Sequence, residues 1–273
     1  MKIRPPPYEE IYSIENLYYA WHKVSLGKSK KNSILDFYRN LDGNLLSIAD
    51  DLRNKTYKPG HYNRFLIKEP KERIISASQV RDRLVQHAIM NYYAPVFDRH
   101  LIFDSYACRV GKGTHKAVLR AFHFAKSSRF FLKMDVRKYF DSIDHTILKK
   151  YIRYMDDMLV FYDDKADLKI INETAVMYVS ERLKLLLKTP VLASVLEGVP
   201  FLGFLFKPSG IFLQNKTKKR YKNRITEIEH KRKRGLFSDF EAGRRIEAVT
   251  SHLLLARSRN FRNNLIYGRF FGD

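Results

Sequence analysis

The chain has 273 residues, 45% of them hydrophobic, enough to bury a real core in one large or two to three small folding units. With 51 Lys and Arg against 29 Asp and Glu, its formal charge is +22, which raises the local anion concentration and favours polyphosphate partners, nucleic acid first. The one cysteine, Cys108, excludes an intrachain disulfide and a thiolate metal cluster, and no apolar run approaches the ~18 residues of a membrane span. A cytoplasmic globular protein with no membrane partner is expected, with Cys108 read as a buried small residue.

In chain order, Ile14, Leu17, Tyr18 and Trp21 recur at helical spacing behind a possible Ser13 cap, so an amphipathic helix is expected over 13–24 with Trp21 in its core. After the basic loop Gly27–Asn32, apolar residues from Leu35 to Leu52 predict one or two further helices, which Lys58-Pro59-Gly60 ends. Asn63–Lys68 alternates apolar and polar residues, Glu69–Glu72 turns, and Arg73–Ser76 returns, which predicts a basic hairpin. Val80, Leu84, Val85, Ala88, Ile89 and Tyr92 predict a helix over 80–93 with Pro95 beyond it; Val118, Ala121, Phe122 and Ala125 mark another.

A strand Phe130–Val136 follows. Tyr151–Phe161 is apolar on both sides of Asp156-Asp157, as expected of two buried strands joined at a polar tip. Leu168, Ile171, Ala175, Tyr178, Val179, Leu183 and Leu186 predict a long helix ended by Pro190, and Pro200–Phe206 reads as one strand. Lys and Arg crowd 216–234, and a helix is expected from Ser238 to Ala256, together a small basic helical appendage.

Asp135 closes an apolar strand, and Asp156 and Asp157 sit in a hairpin, so three carboxylates can converge at adjacent strand ends. Converging carboxylates bind hard cations such as Mg²⁺. Two such ions about 3.5–4 Å apart activate a 3′-hydroxyl and stabilise leaving pyrophosphate without a protein nucleophile. An Asp-Asp pair alone is weak evidence, because Asp favours turns; among Tyr, Met, Leu and Val, however, unpaired carboxylates carry a desolvation penalty that a metal relieves.

Phe-Leu-Lys-Met-Asp-Val-Arg-Lys-Tyr-Phe-Asp-Ser-Ile-Asp-His, from Phe130, and Tyr-Ile-Arg-Tyr-Met-Asp-Asp, from Tyr151, resemble the two metal-binding motifs of reverse transcriptases, nearest the group II intron-like and diversity-generating retroelement types. Lys68–Ile75, Val80–His87 and Asp104–His115 resemble the fingers motifs in the same order. Gly198–Phe204 resembles the primer-grip hairpin, and the basic tail with Ser251-His252-Leu253 resembles a thumb. The resemblance covers most of the chain.

It implies an α+β right-hand polymerase fold with a shortened palm, an antiparallel sheet with helices on one face. Residues 1–60 would form an N-terminal helical region, 61–210 the fingers and palm, and 211–273 a basic helical thumb. It implies RNA-directed DNA polymerase activity with Mg²⁺ as cofactor and an RNA template, a DNA primer and product, and dNTPs as partners; an accessory protein is left open. Asp135, Asp156 and Asp157, with Val136 beside them, would hold the metals, and Val136 would also line the nucleotide site. Phe140 would exclude a 2′-hydroxyl, where an RNA-synthesising relative carries a small residue. Lys68 and Arg73 would hold the triphosphate, the guanidinium through its planar fork, and Lys188 would donate a proton to pyrophosphate. Arg81, Arg83, Lys112, Lys216, Lys218, Lys219 and Arg220 would contact nucleic acid, whereas His87 and His115 are read as structural or backbone-contacting.

The chain departs from the family between the two Asp motifs, where relatives carry a Gly-rich turn and a Ser-Gln or Ser-Pro helix. Here only Asp141–Lys150 intervenes, with no such element. A parallel crossover generally needs at least about 10–12 residues. A helix capped by Ser142 over roughly Asp144–Lys150 would rise about 10 Å, against about 17 Å for a five-residue strand. The expectation is either a reduced palm that still polymerises or a catalytically inactive RNA-binding remnant.

Overall fold

Ser13 caps the first long helix as its position implies: its hydroxyl accepts the backbone N–H of Asn16 at 3.3 Å. The computed structural model describes residues 7–67, 72–136 and 157–270, with Asp157 described by its backbone only. The class is mixed α+β with small antiparallel sheets. The chain divides into two units, Met1–Phe103 and Asp104–Asp273.

The first unit holds α1 (Tyr8–Ile11), α2 (Ile14–Ser25), α3 (Asn32–Tyr38), α4 (Leu41–Arg53), the strands β1 (Asn63–Ile67) and β2 (Arg73–Ala77), and α5 (Val80–His100). Leu17, Ala20 and Val24 of α2 meet Leu45 and Ile48 of α4 and Leu84 and Ala88 of α5 in one core. Each such side chain contributes about 1.5–3 kcal/mol on full burial. Trp21 belongs to this core and stacks on Phe37 with ring centroids 5.1 Å apart. Asn16 is buried but satisfied: its amide donates to the carbonyls of Ile11 at 2.8 Å and Ala88 at 3.1 Å, and its oxygen accepts from Asn91 at 2.7 Å.

Two expectations change in this unit. The helix predicted over 80–93 runs through Pro95 to His100. Proline forfeits one backbone hydrogen bond there, and the Tyr93–Phe97 ring contact at 6.1 Å, one turn apart, spans the break. The β1–β2 pair is antiparallel with Phe65 opposite Ile75, as a hairpin requires, yet every β1 residue is exposed, so its alternation marks no buried face. The turn expected over 69–72 lies outside the described residues but for Glu72.

Asp82 is the buried pin of this unit. Its carboxylate accepts the Tyr57 hydroxyl at 2.5 Å and the Gly60 N–H at 3.1 and 3.2 Å, tying the segment that leads into β1 to the first turn of α5. Burial and the Asp82 hydrogen bond push the Tyr57 hydroxyl above its ordinary range.

The second unit begins with the loop that carries Cys108. Cys108 is exposed, not buried, because its φ of 51° places it in a surface turn in the left-handed region. Helix α6 (Thr114–Ser127) follows, then β3 (Phe130–Asp135), β4 (Asp157–Tyr162), α7 (Lys165–Glu181) and β5 (Val191–Ser194). β3 is the middle strand of an antiparallel β4-β3-β5 sheet. On one face, Leu132 and Met134 pack on Leu168 of α7. On the other, Phe131 joins Ala117, Val118 and Ala121 of α6. The sheet is thus covered on both faces rather than one, because alternate residues of β3 are apolar in both directions.

The remaining elements are β6 (Val199–Phe201), β7 (Phe204–Lys207), β8 (Gly210–Leu213), α8 (Asn215–Lys233), α9 (Asp239–Ser251) and α10 (Arg259–Phe270). The single strand expected at Pro200–Phe206 is a hairpin. Phe201 pairs with Phe204, and Leu202 and Gly203 both take positive φ, 47° and 86°, as a two-residue turn demands. The helix expected from Ser238 to Ala256 spans Asp239–Ser251 behind a Ser238–Glu241 capping box, and α10 lies beyond the helices read from sequence. Tyr221, Ile225, Leu253 and Ala256 share the core of Phe131, Phe204 and Phe206, so the chain after 211 is continuous in packing with the strands before it.

The predicted long helix to Leu186 stops at Glu181. Lys184 takes a φ of 53°, and Leu183 and Leu185 turn into a small core with Val136 and Val179. Apolar spacing continued past the helix because Leu183 fills that core; Leu186, the last residue of the pattern, is exposed.

Two outcomes are expected from this packing. Asp82→Ala removes the buried acceptor of the Tyr57 hydroxyl and the Gly60 N–H and should cost about 1–3 kcal/mol in chemical denaturation; unchanged stability would show that Asp82 is not the pin. His252 stacks 5.9 Å from His115 and lies 5.1 Å from the Phe204 ring, and burial, then His115 and Arg220, lower its pKa. The unfolded chain therefore takes up this proton first, so stability from this site is complete above about pH 6.5 and declines as pH falls below it. Thermal unfolding from pH 8 to 5 should show a smaller loss in His252→Gln than in the unaltered chain.

Candidate functional site

Asp135 and Asp157 occupy opposite positions at the end of the β3–β4 ladder, and the register runs unbroken from that pair to Phe130 opposite Tyr162. Directly opposed positions in an antiparallel pair hold their Cα atoms about 4.5–5.5 Å apart. Like charges placed so oppose folding. By strand alternation, position 135 shares its face with Phe131 and Lys133.

The Asp135 carboxylate has two different environments. Oδ2 accepts the Lys188 ammonium, with side-chain exposures of 25% for Asp135 and 54% for Lys188. Oδ1 is buried with no hydrogen-bond partner among the described residues. A buried carboxylate oxygen left without a donor is costly, and a cation bound to the same carboxylate offsets part of that cost. The residues present therefore fit a divalent ion in two respects, a carboxylate at a strand end with one oxygen unmet and a second acidic position opposite, while the Lys188 ammonium opposes it. Among the described residues no three His, Cys, Asp or Glu side chains cluster as metal ligands; Asp156 and the Asp157 side chain are outside that set.

Lys188 reaches Asp135 because its backbone is pinned there. Val136 forms an antiparallel bridge with Leu187, and the Lys188 N–H donates to the Asp135 carbonyl at 2.8 Å. Val136 itself is buried against Val179, Leu183 and Leu185, so its side chain belongs to the core and its backbone to the bridge.

The other sequence-selected residues fall in separate places. Lys68, Phe140 and Asp156 lie outside the described residues, as does the Ser142-capped helix expected at 144–150. Arg73 opens β2, exposed, in the first unit. Arg81, in the first turn of α5, is paired with Asp51 and lies 5.8 Å from the Tyr57 ring centre, so its guanidinium is engaged internally. Arg83 is half-buried with Nε unpaired among the described residues. Burial, then the charges of Lys23, Lys28 and Arg83, lower the pKa of His87, a half-buried residue of α5.

In the second unit, the Lys112 ammonium sits 4.7 Å over the Tyr106 ring. The same loop carries an ion pair of Asp104 with Arg120 at 2.9 Å, which holds the Asp104 carboxyl below the usual carboxylate range. Lys216, Lys218, Lys219 and Arg220 are exposed on the first turns of α8, which holds no acidic residue there. Cations at a helix N-terminus oppose the macrodipole, so this cluster is placed at a cost that a polyanion would offset.

Sequence reasoning did not find Lys133. From the face of β3 that carries Asp135, its ammonium donates to the Pro200 carbonyl at 3.2 Å and ties the acidic strand to β6. A Lys at an inward position of an otherwise apolar strand was the available signal. The chain matches no protein-family model and no curated protein.

If opposed charge strains the ladder end, Asp157→Asn should raise the thermal midpoint without divalent cations, by an amount equivalent to about 0.2–1 kcal/mol. Millimolar Mg²⁺ should then stabilise the unaltered chain more than the variant. Equal responses to Mg²⁺ would argue against a cation bridging these positions.

Proposed function

We propose that the chain is an RNA-directed DNA polymerase of a retroelement, a reverse transcriptase with a shortened palm built on the β4-β3-β5 sheet. The β1–β2 hairpin would belong to the fingers, and α8 to α10 to the thumb. The observation that carries this reading is the opposition of positions 135 and 157 at the end of a strand buried on both faces, with one Asp135 oxygen buried and unmet. The order of the motifs around these positions supports it.

Asp135, Asp156 and Asp157 would hold Mg²⁺, with the Val136 backbone alongside. When bound, Mg²⁺ supplies charge stabilisation to the attacking 3′-hydroxyl and the leaving pyrophosphate. Lys68 and Arg73 would orient the dNTP triphosphate, and the Phe140 ring would close the space of a 2′-hydroxyl. Lys188 would hand a proton to departing pyrophosphate. Lys112, Lys216, Lys218, Lys219 and Arg220 would follow the backbone of template and primer, a sequence-independent role that weakens with salt. Arg83 and Arg81 would do the same, Arg81 after exchanging Asp51 for phosphate.

The second reading is an RNA-binding remnant without catalysis. It is favoured by the short connection Asp141–Lys150, which leaves no nucleotide and template platform of the family type. Polymerisation needs near-attack geometry, and an error of about 1 Å can cost 10²-fold in rate.

Primer extension on an RNA template with Mg²⁺ and dNTPs separates the two. Extension that Asp156→Ala and Asp157→Ala each reduce at least about 10²-fold supports catalysis. Absent extension with retained RNA binding supports the remnant.

A further inference from the structure

Three contacts attach one short segment to the end of β3. The Val136–Leu187 bridge and the Lys188 N–H to the Asp135 carbonyl, 2.8 Å, are made by backbone; the ammonium on Oδ2 is the only one made by the Lys188 side chain. The backbone contacts fix where Lys188 stands whatever its side chain does. More than half of that side chain is exposed, whereas Oδ1 of Asp135 is out of reach of solvent. A cation arriving from solvent thus meets the carboxylate at the oxygen that Lys188 already holds.

We propose that Lys188 is the resident counter-ion of Asp135: its ammonium holds the carboxylate while no divalent cation is bound, and the cation must displace it. Lys188 thereby sets the cation affinity of the site. The inference rests on the reading of Asp135 as a metal ligand and adds a competitor for the same oxygen.

The physical terms agree with exchange. A half-exposed Lys–Asp pair is weak, because both partners remain hydrated and the long stem loses rotamer freedom. It adds positive charge at a strand end where two acidic positions oppose each other. A divalent ion carries twice the charge and draws on the second acidic position, so it prevails at sufficient concentration. The displaced ammonium stays beside the site on a stem whose backbone is pinned.

Mn²⁺ binding to the full chain, measured by electron paramagnetic resonance without nucleic acid or dNTP, tests this. Lys188→Met should bind Mn²⁺ about two- to fivefold more tightly than the unaltered chain, the range a weak exposed pair allows. Lys188→Arg, which keeps the charge, should show no gain. Lys188→Gln serves as a second neutral variant should the Met form fold poorly. In primer extension Lys188→Met should be slower despite its tighter metal binding, a split that a purely structural role would not produce. If Asp135→Asn loses Mn²⁺ binding while both neutral variants bind no more tightly than the unaltered chain, the counter-ion role is wrong and the metal site stands. If Asp135→Asn binds Mn²⁺ as well as the unaltered chain, the metal-site reading fails, and this inference with it.

Discussion

The second unit depends on one strand that is buried on both faces. β3 is paired on both edges, to β4 and β5, and its alternate side chains enter two cores, one with α7 and one with α6 and Phe204 and Phe206. Phe131 and Leu132 are essentially inaccessible. Such a strand can slip in register only by exchanging every side chain between cores. The position of Asp135 is therefore fixed by its neighbours, not by its own interactions. That is how a carboxylate with an unmet oxygen persists: the surrounding burial exceeds the cost of leaving it unmet.

This explains what the sequence disclosed. α2, the helices of 32–53 and the first half of α5 were legible because their apolar residues recur against one core, and Ser13 announced its cap; α1 and the part of α5 beyond Pro95 were not read. β3 and the acidic end of β4 were legible because apolar runs broken by Asp are rare. What stayed hidden has several causes. The turn at Leu202-Gly203, implied by the primer-grip resemblance, is masked in the apolar pattern by a Leu in the left-handed region, where Asn or Gly would have signalled it. The end of α7 is masked because Leu183 stays buried after the helix stops and Leu186, although exposed, fits the same spacing. The contact of Lys188 with Asp135 joins residues 53 apart, and the Lys133–Pro200 bond joins residues 67 apart. Neither separation leaves a periodic trace. Cys108 shows the converse error, since a composition rule about buried cysteine does not register the backbone turn that exposes it.

The charge excess is also distributed unevenly along α8. Its C-terminal turns neutralise themselves: Lys231 pairs with Glu227 at 2.7 Å, and Glu229 takes both Lys233 at 2.9 Å and Arg269 at 2.8 Å. These contacts hold the Glu227 and Glu229 carboxyls below their usual range. The first turns, with Lys216, Lys218, Lys219 and Arg220, carry no acidic counterpart, although the macrodipole would favour the reverse arrangement. Charge placed against both local rules is better explained by a polyanionic partner than by solubility, which mixed charge would serve as well.

The same logic separates the two functional readings. A remnant freed from catalysis has no need to keep acidic residues at two opposed positions of a strand end, where like charge is disfavoured. Nor would it need the Leu187–Lys188 segment pinned by backbone so that an ammonium stands against one carboxylate oxygen. RNA binding alone asks only for the basic surface. The acidic strand end is a cost that binding does not explain and metal-dependent phosphoryl transfer does, which is why the polymerase reading ranks first despite the short connection between the two Asp motifs.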